Sequence, residues 1–137
     1  MKIQIFDKTS NDPPNPLAII YVIIFFISFV LGLLSKLVYR DFIYLNKISD
    51  FGLADSLPSF FTVFGISFAT LSFYQYKSAK ISYSIFVMSA FSMIAYEFSQ
   101  NFESGVFDVN DIIASIIGSI FAFGLYKMLT KIFIKST

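Results

Sequence analysis

Apolar residues fall in four long blocks, separated by short polar stretches. The first block, from Leu17 to Tyr39, carries one charge, Lys36, near its end. A helix needs about 20 apolar residues to cross a hydrocarbon core of about 30 Å, and this block is long enough. It is too long for the apolar core of a signal peptide and has no small-x-small cleavage site, so it reads as a retained span. A second block, Ser56 to Tyr76, is uncharged, and Pro58 fits its first turn, where a missing N–H costs little. The basic turn Lys77-Ser78-Ala79-Lys80 then leads into Ile81 to Tyr96, which ends at Glu97. So short a link implies antiparallel neighbours. The fourth block runs from Asp108 to about Met128. Lys127, Lys131 and Lys135 recur every four residues, which predicts a helix continuing with a basic face. The pattern predicts an all-α membrane protein, an antiparallel bundle of four transmembrane helices. Its spans are about 17–39, 57–76, 81–98 and 109–128 within a domain of residues 17–130. A polar segment, residues 1–16, precedes it and a basic tail, residues 131–137, follows. Residues 40–56 mix charges with Phe42, Ile43, Tyr44, Leu45, Ile48 and Phe51, a pattern expected of a segment lying partly along the membrane surface.

Composition agrees. Of 137 residues, 56% are hydrophobic and 14% charged, against about 25% charged in soluble domains. Mean hydropathy is +0.73. The chain has no Cys and no His. That excludes disulfides, thiolate metal sites, a Ser-His-Asp triad, HExxH zinc chemistry and haem on a proximal His. The net charge of +1 gives no basis for a nucleic-acid partner. With four spans, Lys2, Lys8, Lys77, Lys80, Lys127, Lys131 and Lys135 share one side and Lys36, Arg40 and Lys47 the other. Basic residues mark cytoplasmic loops, so both termini are expected in the cytoplasm.

The opposite face then collects most of the acids. Glu97 and Gln100 share a helix face, as do Asp108 and Asp111. These four converge on the mouth between the third and fourth helices, with Arg40 and Ser115 as supporting members of a candidate polar pocket. Oxygen ligands of this kind suit a hard divalent cation; no other cofactor is implied. A carboxylate pair also suits general acid–base work. Against these readings stand plainer ones. Asp108 and Asp111 are placed to cap the fourth helix and complement its dipole, and Glu97 to sit at a water boundary. Arg40 serves equally as an interfacial anchor, a partner for the acids or a ligand for lipid phosphate. Ala114, Gly118 and Ala122 form a small-residue stripe for helix packing, and Gly65, Ala69 and Ser72 a second small face. The eight tyrosines lie mostly near span ends, as an aromatic belt does. The first two helices read as plain anchors.

Glu97-x-x-Gln100, then Asp108-x-x-Asp111, then Gly118 inside an apolar helix resembles the closing half of the VanZ-like family of small bacterial membrane proteins. Leu57-Pro58-Ser59-Phe60-Phe61-Thr62-Val63-Phe64 is similar to the start of the family's second helix. The resemblance covers about residues 57–126. The chain departs from it where many members carry a His (here Phe60), an Arg (here Gly105) and an Asn (here Ser115). The family takes its name from a teicoplanin-resistance protein. The resemblance therefore implies a cell-envelope role, binding or processing an envelope lipid or a glycopeptide-related amphiphile in an extracytoplasmic pocket. The alternative is a non-catalytic subunit or scaffold that packs with partner membrane proteins or with a second copy. A transporter is a third reading, with little room for a pathway among four short spans.

Overall fold

The computed structural model describes residues 16–74, 79–100 and 108–134. The turn at 75–78, the loop at 101–107 and both terminal segments, and with them Lys77, Glu103, Gly105 and Lys135, lie outside the described residues. Among the described residues the chain is all-helical apart from short connections, with no strand and with four helices long and apolar enough to cross a membrane. They are α1 (Pro16–Leu45), α2 (Leu53–Tyr74), α3 (Ala79–Gln100) and α4 (Val109–Ile134).

The first helix departs most from expectation. The Arg40–Leu45 stretch is not a separate surface segment but the end of α1, joined through a π turn at Ser35–Tyr39 in which the Arg40 N–H reaches the Ser35 carbonyl. Its 30 residues make a rod of about 45 Å, longer than the apolar core of a bilayer, so its polar last turns extend beyond that core. A Schellman motif ends it. Ile48 N–H donates to the Ile43 carbonyl and Lys47 N–H to that of Tyr44, with Lys47 in the left-handed region at φ 52°.

The second helix starts earlier than its apolar block suggests. The Asp50 carboxylate accepts the N–H of Ala54 at 2.6 Å and of Gly52 at 3.1 Å, so this acid caps the helix and Asp55 falls in its first turn. Pro58 consequently lies inside α2 and not in its first turn. Phe51 and Gly52 both take positive φ in this tight reversal.

Packing is centred on α2, which touches the other three helices, while α3 also packs on α4. By contrast, α1 rests on α2 and meets α4 where the Tyr21 and Tyr126 rings approach to 6.5 Å. Small residues set these crossings. A Cβ on Gly118 would stand 2.7 Å from the Phe60 carbonyl oxygen, so the α2 and α4 backbones are in contact there. A Cβ on Gly65 would stand 3.1 Å from that of Ser28 on α1. Gly118 thus lies against the α2 backbone inside the bundle, and Ala122 is fully buried.

Burial is inverted relative to a water-soluble domain. Among the described residues ten polar ones are buried, nine of them serines, whereas large side chains such as Phe26, Phe91, Val87, Ile120 and Phe121 stand exposed. So wide an apolar exterior demands a nonpolar surrounding. Inside, Ser28, Ser35, Ser67 and Ser115 each donate to a carbonyl one turn back in their own helix. Ser119 instead donates to Phe86 O of α3 at 2.8 Å.

Candidate functional site

The apolar core occupies one end of the bundle. Tyr21, Phe68, Leu71, Ile85, Phe86 and Ala122 form it, drawn from the early parts of α1 and α3 and the late parts of α2 and α4. Toward the other end α1 and α3 face each other across α2, since both lean on α2 and not on each other. The space left between them is a cavity of about 610 Å³. Its apolar walls include Phe25, Phe29, Leu33, Ile66 and Met93, and its floor is the small face Ser28, Gly32, Ser59 and Gly65. Charged groups also line it: Lys36 and Arg40 from α1, Asp55 from α2, Glu97 from α3 and Asp111 from α4.

The π turn accounts for the α1 side. Ser28, Gly32, Lys36 and Arg40 are spaced by four, and in a regular α-helix each such step drifts by about 40° around the axis. The wider turn at 35–39 winds the chain back, keeping Arg40 on the cavity face. There Arg40 Nε pairs with Asp55 Oδ1 at 2.9 Å. Tyr44 O–H reaches both Asp55 oxygens, at 2.7 and 2.8 Å, and its ring lies 5.5 Å from the guanidinium carbon. The partner of Arg40 is therefore Asp55, an acid outside the Glu97–Asp111 group.

Glu97 is 1% exposed. An ionisable group so enclosed within a span requires local support. The backbone N–H of Asp108 donates to its carboxylate, which places a negative charge at the positive end of the α4 dipole. Asp108 is the helix cap: its Oδ1 accepts the N–H of Asn110 at 2.8 Å, and it is not among the cavity-lining residues. Asp111, one turn on, faces Ser59 across the α2–α4 contact. Its Oδ1 is buried and has no hydrogen-bond partner among the described residues.

Of the predicted pocket members, the structure thus brings Glu97, Asp111 and Arg40 to one cavity. Ser115 is fully buried, donates to the Asp111 carbonyl and does not line the cavity. Gln100 closes α3, and its side chain lies outside the described residues. Ala114 lines a separate apolar cleft beside Phe60 and Ile117. The first two helices are more than anchors, since α1 and α2 supply most of the cavity wall. Lys36, Asp55 and Ser59 were not singled out as site residues. Their only sequence signal was a charge or hydroxyl near a helix end. Among the described residues no three acidic side chains are grouped closely enough to hold a metal ion.

Fold and site together define a bundle of four membrane-length helices with a laterally placed amphipathic cavity. Compared with profiles of known protein families, with curated proteins and with solved structures, the chain matches none.

Proposed function

We propose that this chain is a VanZ-like integral membrane protein of the bacterial cell envelope, an antiparallel four-helix transmembrane bundle that holds an amphiphile in its polar-ended cavity. The observation that carries this reading is the division of the cavity: Phe25, Phe29, Leu33 and Ile66 along its wall, charged Lys36, Arg40, Glu97 and Asp111 lining it as well. A lipid tail fits the first group and a head group the second, and the gap between α1 and α3 lets such a molecule enter from the side. Both termini are cytoplasmic in this reading and the charged end faces outward, because seven of the ten basic residues fall on the terminal side. The amphiphile is an envelope lipid or a glycopeptide-related molecule, on the resemblance of Glu97-x-x-Gln100 and Asp108-x-x-Asp111.

The test is native mass spectrometry of the purified chain beside the double variant Glu97→Ala/Asp111→Ala. A co-purified amphiphile on the parent, lost from a folded double variant, is expected. Equal retention by both sinks the proposal. Reporter fusions at the two termini check the topology.

A second reading, a membrane subunit that docks partners, draws on the outer face of α1, the least buried of the four spans. The Gly118 stripe is already used against Phe60, so a partner would meet other surfaces.

A further inference from the structure

The cavity charges are sorted by element. Both cations, Lys36 and Arg40, come from α1, and two acids, Glu97 and Asp111, come from α3 and α4 on the facing side. Arg40 and Asp111 are close enough to act on each other electrostatically. A simple anionic head group would be drawn to the α1 side and repelled by the acids. A purely cationic one would meet the reverse. A head group with an anion and a hydrogen-bonding cation side by side satisfies both walls.

Resting on the amphiphile reading, we propose that the cavity selects a zwitterionic aminophospholipid, with its phosphate toward Lys36 and Arg40 and its primary ammonium toward Asp111 and Glu97. The buried Asp111 Oδ1 has no hydrogen-bond partner among the described residues, and a primary ammonium has N–H groups to donate to it. A quaternary ammonium has the same charge and no N–H, so a choline head group leaves that oxygen unsatisfied. Lateral access explains how the site fills: the tails pass between α1 and α3 while the head group swings between the charged walls. Arg40 is partly committed to Asp55, which leaves Lys36, an exposed residue at the rim, as the freer phosphate ligand.

The full chain is exchanged into nanodiscs containing equal parts of phosphatidylethanolamine, phosphatidylcholine and phosphatidylglycerol, and the lipids retained on release are identified by native mass spectrometry. Phosphatidylethanolamine is expected to be retained over both others by about tenfold, the scale of one charge-assisted hydrogen bond. Asp111→Asn should erase the preference over phosphatidylcholine. Lys36→Gln, at an exposed position that folding does not depend on, should weaken retention of both phosphatidylethanolamine and phosphatidylcholine. Preferential retention of phosphatidylglycerol, or of all three equally, overturns the zwitterion assignment and leaves the amphiphile cavity standing. Retention of no lipid overturns both. If Asp111→Asn fails to fold, Lys36→Gln still decides: unchanged retention of the two zwitterionic lipids counts against the proposal.

Discussion

At one end of the bundle Tyr21, Phe68, Leu71, Phe86 and Ala122 fill the space between four helices. At the other, Ser28, Gly32, Ser59 and Gly65 leave about 610 Å³ empty beside five charged residues. The same helix, α2, supplies Phe68 and Leu71 to the first and Ser59 and Gly65 to the second. Its two halves thus do different work: one holds neighbours by side-chain volume, the other holds a space open by the lack of it. The difference teaches that the wide end is not loosely packed by accident. The crossing at Gly65 brings α1 close to α2, while α1 and α3 rest on α2 and not on each other, which leaves the gap between them.

Variants at the two ends should separate stability from binding. The largest effect is expected at the filled end. Phe68 is fully buried and its ring meets those of Tyr21 and Phe64 at 5.5 and 5.2 Å. Phe68→Ala should cost about 3–5 kcal/mol in reversible unfolding from mixed micelles. A loss below about 1 kcal/mol would mean that this end is not the structural core. Gly118→Leu comes next, because even a Cβ there meets the Phe60 carbonyl at 2.7 Å. Overpacking of this kind costs about 1–3 kcal/mol, and the same unfolding titration should show it. At the charged end a double-mutant cycle on Arg40→Ala and Asp55→Ala should give a coupling of only about 0.2–1 kcal/mol, since both groups remain partly exposed. The smallest change in stability is expected for Lys36→Gln at an exposed position, within about 0.5 kcal/mol, with weakened retention of both zwitterionic lipids in the same preparation. A large stability loss without a change in retained lipid would reverse the assignment of the two ends.

The apolar blocks announced four helices because only a continuous helix satisfies its backbone over such a length. Their ends were harder to read. Arg40 and Asp41 look like the start of a loop, yet α1 runs on to Leu45, since polar residues are acceptable wherever a helix has passed beyond the apolar core. Asp50 looks like one more loop charge until its carboxylate is seen on the Ala54 N–H. The Glu97 and Asp111 part of the cavity was legible from i,i+3 spacing beside a short loop, a local relation. The role of Asp108 as a cap was legible for the same reason. The pairing of Arg40 with Asp55 was not, because it depends on how α1 lies on α2. Nor was the cavity itself, which is made of small residues on different helices that mean nothing until the crossings are known.

The buried serines bear on how such a bundle is assembled. A hydroxyl already bonded to a carbonyl of its own helix, as in Ser28, Ser35, Ser67 and Ser115, needs no neighbour to be tolerated in lipid. Each span can then enter the bilayer alone and wait there. Ser119 differs, for its bond to Phe86 O exists only after α3 and α4 have met. That hydroxyl therefore acts as a register mark for the last hairpin: sliding α4 along α3 by one turn breaks it, and the cavity acids Glu97 and Asp111 move apart with it.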